Sequence, residues 1–141
     1  MASDFKDARA AIVKKIEDDC KKVGKVYGYD RSTFEAFPAV VVVPTDNEAD
    51  YADSAMDKIT MVFKVRAYYP INQESEHEAA ETALEEVVDE LLTEFRERLV
   101  LGSASDGVRP APSIWEYEDR GEVVYRVAEI TLRCLKYSSR S

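Results

Sequence analysis

Lys58-Ile59-Thr60-Met61-Val62-Phe63-Lys64-Val65-Arg66-Ala67-Tyr68-Tyr69 alternates its side chains along its whole length. Ile59, Met61, Phe63, Val65, Ala67 and Tyr69 fall on one side of an extended chain, and Lys58, Thr60, Val62, Lys64, Arg66 and Tyr68 on the other. This two-residue period predicts a strand with one face on a core and the other polar enough to meet water, which suits an antiparallel sheet. Pro70 ends the strand, and Asn72 to Glu74 turns the chain.

Toward the C-terminus, Ser75 and Glu78 have the spacing of a capping box at the start of a helix. Ala80, Leu84, Val87, Val88, Leu91, Phe95 and Leu99 recur at three and four residues, which predicts a helix reaching Leu101 and stopped by Gly102. Glu76, Glu78, Glu81, Glu85, Glu86, Asp89, Glu90, Glu94 and Glu97 oppose only Arg96 and Arg98 there, a net charge of −7 on one element. The acids begin in the first turn and the arginines sit near the end, as the helix dipole prefers. Residues 102–112 read as a loop, Ser113 to Tyr117 as a short strand, and Asp119-Arg120-Gly121-Glu122 as a hairpin turn in which the glycine takes positive φ. The closing strand runs from about Val123 to Tyr137, before a loose tail. Its apolar phase changes: Val123, Tyr125 and Val127 share one face, and Ala128, Ile130, Leu132 and Cys134 the other. Either a bulge near Arg126–Ala128 or a strand passing between two environments accounts for that.

Toward the N-terminus, Phe5, Ala8, Ile12, Ile16, Cys20 and Val23 trace one stripe of a helix over 4–23. Lys21 and Lys22 fall in its predicted last turn, with Gly24 as the C-terminal cap. Lys25 to Glu35 reads as a structured loop with room for a short strand. Phe37 to Thr45 contains Ala39-Val40-Val41-Val42-Val43, a strand covered on both faces and ended by Pro44. Asn47 to Asp57 is an acidic connection. It lacks the central glycine and the twelfth-position glutamate of a helix–loop–helix calcium site, so a solvated loop is expected. The expected fold is one α+β domain over 1–141: a four-stranded, mainly antiparallel sheet with two helices on one face, in the order α-β-β-α-β-β.

A chain of 141 residues with 45% apolar side chains can bury a core without metal or disulfide support. Its formal charge of −9 argues against a general nucleic-acid binder, whose affinity comes chiefly from phosphate neutralisation. Cys20 and Cys134 are too few for a disulfide framework and read as buried thiols. No apolar run approaches the length of a membrane helix. Met1-Ala2-Ser3-Asp4 opens into a helix rather than a signal peptide, the pattern of a protein made without export.

No catalytic motif stands out, and neither a cofactor nor a metal is implied. The glycines are dispersed, and no serine sits in a nucleophile elbow. His77 with Glu81 has an i,i+4 spacing, but a single histidine among acids reads as an ordinary exposed residue. The eight tyrosines are more informative, because tyrosine and arginine are enriched in protein interfaces. Tyr68 beside Arg66, the Tyr125 face of the last strand, and Asp50 and Asp53 are candidate interface residues, while Glu81, Glu85 and Asp89 are a candidate acidic surface. The first 27 residues carry seven basic and five acidic side chains against the acidic second helix. Such opposite fields suit copies meeting head to tail, or are simply two solvated helix faces.

The early amphipathic helix, Phe37-Pro38-Ala39-Val40-Val41-Val42-Val43, the 59–69 strand, the long helix and Tyr125-Arg126-Val127-Ala128-Glu129-Ile130-Thr131-Leu132 together resemble the tail-completion, or tail terminator, proteins of long-tailed bacteriophages. The resemblance covers nearly the whole chain and rests on order, length and local texture. It implies a structural virion protein, not an enzyme: a hexameric ring that caps the completed tail tube, stops polymerisation and offers a joining surface to the head connector protein. It further implies a place at the head-proximal end of the tail, assembly in the host cytoplasm, and DNA passing through the ring without specific binding. A head–tail connector or another tail or baseplate subunit is the neighbouring reading. A small ligand-binding domain or enzyme is the alternative from a different class.

Overall fold

The computed structural model describes residues 4–31, 33–44, 48–50, 56–72, 76–96, 107–111 and 114–139. For 4–5, 48–50, 56–59 and 136–139 the description is of the backbone alone. In chain order the elements are α1 (Asp4–Asp19), β1 (Lys25–Tyr27), β2 (Ala39–Pro44), β3 (Glu48–Asp50), β4 (Met56–Ile71), α2 (Glu76–Glu94), β5 (Gly107–Pro110), β6 (Ile114–Arg120) and β7 (Val123–Ser139).

The alternating stretch lies in β4, which pairs antiparallel with β7 in one unbroken register from Met56↔Ser139 to Ile71↔Val124. Sixteen residues of β4 at about 3.4 Å each make a ribbon roughly 50 Å long. Every other described strand except β1 attaches to this pair. β2 runs antiparallel along Phe63–Tyr68, and β3 along Lys58–Thr60. β5 and β6 share the far edge of β7, at Leu132–Leu135 and Val123–Glu129. β1 adds to β2 in parallel, so the sheet is mixed, with the path β1-β2-β4-β7-β5.

Among the described residues this is an α+β fold with two helices, as expected, but its sheet has seven strands rather than four. β1 fills the short strand allowed for after Lys25, whereas β3 and β5 escape a periodicity argument because three or four residues hold too little alternation to register. The phase change in β7 is not a bulge at Arg126–Ala128, since pairing with both β4 and β6 is continuous there. The strand passes between two environments. A one-residue slip lies instead on its neighbours: residue numbers of paired partners sum to 242 along β5 and to 243 along β6.

Both helices lie on one face. Ala8, Ile12, Ile16 and Cys20, with Ala80, Leu84, Val87, Val88, Leu91 and Phe95, meet Val40, Val42, Met61, Phe63, Val65, Ala67, Ala128, Ile130, Leu132 and Cys134 in the main core. Each helix is shorter than its apolar stripe. α1 ends at Asp19, so Lys21 and Lys22 lie beyond its last turn, and α2 ends at Glu94, short of Arg96. In both cases the chain leaves the helix while its apolar residues, Cys20 and Phe95, continue into the core. The predicted stretch from Glu97 to Leu101 and its Gly102 stop lie outside the described residues, as does Ser75 of the capping box. At the other end of α2, the Glu76 carboxylate accepts from the Asn72 N–H at 3.3 Å.

Gly24 does not cap α1. Its N–H donates to the Pro38 carbonyl at 2.8 Å, and a Cβ there would sit 2.6 Å from the Phe37 carbonyl oxygen. Glycine is therefore needed for close approach of the chain to the residues that lead into β2, across the cis Phe37–Pro38 bond. Gly121, at φ 65°, does serve the β6–β7 turn as expected. Gly24→Ala should lower stability by about 1–3 kcal/mol, a cost typical of overpacking. The check is a urea titration, in which the midpoint falls with little change in slope.

Candidate functional site

The reverse face of the sheet, away from the helices, holds the tyrosines and arginines singled out above. Residues 28–38 connect β1 to β2, and because the two strands are parallel this segment must travel back along their length. It crosses the reverse face and brings Phe34 and Phe37 over Tyr27, Ala39, Val41, Tyr68, Tyr125 and Val127, a second apolar cluster. Phe34 is its hub. Its ring stacks on Tyr68 with centroids 5.0 Å apart, and meets Tyr125 edge-on at 5.7 Å. The Tyr27 hydroxyl accepts from the Glu35 N–H at 2.8 Å and pins the crossing chain.

Tyr68 is consequently only 1% exposed, and Tyr125 6%. The face expected to meet water is covered here by the protein's own loop, and the Tyr68 and Tyr125 side chains contact their own chain. Burial pushes the Tyr68 hydroxyl pKa up, with the nearby Arg66 charge working against that shift.

Around this cluster runs a network of arginines and carboxylates. Arg66 Nη2 donates to Glu116 at 2.6 Å and to Glu118 at 3.3 Å, while its Nη1 lies 3.4 Å from the buried Glu129. Its buried Nε has no hydrogen-bond partner among the described residues. Arg120 Nε donates to Glu118 at 2.6 Å, and its Nη2 to Asp30 at 3.2 Å and the Tyr68 hydroxyl at 3.0 Å. Its Nη1 donates to the Arg31 carbonyl. Burial works against the Arg120 charge, but the bond to Glu118, the Tyr68 oxygen and the bond to Asp30 raise its pKa overall. Arg120 thus ties the end of β6 to the loop over the reverse face. Neither Arg120 nor Phe34 emerged as important from the sequence. The available signal was Tyr27, Tyr29, Phe34 and Phe37 crowded into one supposed loop, which requires an apolar surface to bury them.

The acidic candidates separate. Glu81 pairs with Arg126, whose guanidinium lies 4.4 Å from the centre of the Tyr117 ring and 5.5 Å from that of Trp115. Glu85 and Asp89 are exposed and form no ion pair with a described residue. Asp50 lies in β3 opposite Lys58, with its side chain outside the description, and Asp53 lies outside the described residues altogether. His77 is partly buried near Tyr117, with ring centroids 6.2 Å apart.

The two helices also consume part of their opposite charge within one chain. Glu90 accepts from the Lys21 and Lys22 backbone N–H groups at 2.9 and 2.7 Å. Lys15 reaches Glu94 at 3.2 Å, and Lys22 reaches Glu86 at 3.6 Å. Its hydrogen bond to Asp19, assisted by Glu94, raises the Lys15 pKa despite partial burial. Lys15 of α1 and Lys22 just beyond it are therefore committed to the second helix of the same molecule.

Both cysteines are buried free thiols. Burial, assisted by Glu90, Glu94 and Asp19, pushes the Cys20 pKa from 9.0 up to about 12. A cleft beside it is lined by Ile16, Val23, Gly24 and Val26, and a shallower one on α2 by Glu78, Ala79, Thr82, Ala83 and Glu86. Among the described residues no group of three or more His, Cys, Asp or Glu is placed to hold a metal ion, and no helix is long and apolar enough to cross a membrane.

The fold defines an α+β class, two helices over one face of a mixed sheet built on a long central strand pair. No protein-family model and no curated protein matches the chain. Among solved structures, a chain from the virion of a native gene transfer agent particle matches with a TM-score of 0.52 and 14% identity, over 91% of this chain and 94% of that one. At this identity the likeness is one of fold.

Two outcomes test the site. Arg120→Ala should cost about 2 kcal/mol, because it leaves Glu118 with Arg66 alone, removes the ion pair to Asp30 and releases the 28–38 crossing. Arg120→Lys should recover only part of this, lacking the planar fork. Urea titration with near-ultraviolet circular dichroism of the tyrosines reads both. The folded protein should react slowly with a thiol reagent at neutral pH and quickly once unfolded. Because only the unfolded Cys20 ionises between pH 9.0 and about 12, stability should fall as pH rises through that window, with no contribution from this thiol below it.

Proposed function

We propose that this chain is a structural subunit of a phage-type particle and acts as a tail terminator. Copies form a hexameric ring that caps the finished tail tube, stops its growth and presents a joining surface to the head connector protein. The observation that carries this reading is the fold shared with a virion chain over nearly the whole length of both. A fold alone does not assign a role. The sequence resemblance to tail-completion proteins narrows the role, and the formal net charge of −9 supports it. An acidic surface facing the channel would repel phosphates, letting DNA pass without adhering. The role needs no catalytic residue, and the ring sits at the head-proximal end of the tail after assembly in the host cytoplasm.

The test is to add purified protein to polymerising tube protein encoded by neighbouring genes, with light scattering after size exclusion and electron microscopy as readouts. The expected result is a ring at one end of each tube and tubes of arrested length. Protein that stays monomeric at micromolar concentration and leaves tube ends bare overturns the reading. Protein that binds the head portal but leaves tube growth unchanged favours the connector role instead.

A further inference from the structure

The lower reverse face is covered by residues 28–38, but the upper part carries cations. Arg109 lies directly opposite Arg133 in the β5–β7 ladder, and Arg133 lies opposite Val62. Lys64, two residues along β4, faces Thr131 on the same side. Their chain neighbours Val108, Leu132, Cys134, Phe63 and Val65 point into the helix-side core, so these three cations share the reverse face. Arg109 and Arg133 are exposed and Lys64 half-buried. Lys64 and Arg109 form no ion pair with a described residue. Like charges directly opposite on paired strands destabilise a sheet unless an anionic surface covers them.

This chain itself presents such a surface. On α2, Glu78, Glu85 and Asp89 recur at seven and four residues along the side turned away from the core, and none forms an ion pair with a described residue. At about 1.5 Å per residue the line is roughly 16 Å long. The basic patch spans two strand spacings and a two-residue offset, roughly 12 Å. The acidic line lies on the helix side of the sheet and Lys64 and Arg109 on the reverse side, so one molecule cannot bring these groups together.

We propose that the Lys64–Arg109–Arg133 face receives the Glu78–Glu85–Asp89 line of α2 from a second copy of this chain. The contact is heterologous, because each copy uses one surface to give and the other to receive. Repetition of such a contact closes a ring when the rotation allows it. This deepens the ring reading and rests on it for closure, while assigning which faces meet. Lys15 and Lys22 have no part in it, since α2 of the same chain already holds them.

Three variants of the full chain test it: Lys64→Glu with Arg109→Glu, Glu85→Lys with Asp89→Lys, and all four together. Circular dichroism melting confirms that each folds, and sedimentation velocity at low and high salt reads association. Each double variant should weaken self-association by about tenfold or more, and the fourfold variant should restore most of it. Association of the parent should weaken as salt shortens the screening length below about 8 Å. Double variants that assemble like the parent, or a fourfold variant that fails to recover, overturn the contact while leaving the ring reading standing. A parent that stays monomeric yet binds tube ends overturns the contact and keeps the tail role. A basic-face variant that loses binding of a duplex DNA probe but assembles normally shows the face to be a phosphate site, which also overturns the proposal.

Discussion

Pairing of β4 with β7 is the constraint on which the remaining structure depends. An antiparallel ladder with a fixed sum of partner numbers leaves no freedom of register, and a slip of one residue would move every core side chain to the other face. Phe63, Val65 and Ala67 face the helices because Leu132, Ile130 and Ala128 do so opposite them. β2, β3, β5 and β6 then attach to whichever segment of this ribbon lies beside them. The helices close over one side because that side alone presents a continuous apolar surface.

A parallel β1–β2 pair has consequences well beyond three residues of strand. The return path it forces on 28–38 turns what would be a solvent face into a second core. Tyr68 and Tyr125 then become buried, and Arg66 and Arg120 draw carboxylates around them. Holding charges beside a buried aromatic cluster depends on complete pairing, and the Arg66 guanidinium with Glu116, Glu118 and Glu129 comes close to it. The unpartnered Arg66 Nε marks where pairing stops among the described residues.

Acidity is likewise divided by the fold rather than by composition. Glu81, Glu86, Glu90 and Glu94 on α2 turn toward cations or amides of their own chain. Glu78, Glu85 and Asp89, on the outer side of the same helix, meet none among the described residues. In the sequence the two sets are interleaved and indistinguishable. Basic residues show the same division: Lys14, Lys15 and Lys22 pair with acids of the same chain, whereas Lys64 and Arg109 on the sheet are left without a described partner.

By itself, the sequence determined the elements whose order is carried by local repetition. The alternation over 58–69, the helical stripes from Ala8 to Cys20 and from Ala80 to Phe95, the doubly buried Ala39–Val42 and the Gly121 turn all depend on neighbours within a few residues. It also placed the two cysteines in the core. Only the tertiary structure decided strand number, the end of each helix, the role of Gly24 and which tyrosines meet solvent. These depend on contacts between residues far apart in the chain, such as Gly24 with Phe37 or Arg120 with Asp30, and no local period encodes them. The candidate surfaces follow the same rule: a charge is visible in a sequence, whereas its partner is a fact of the fold.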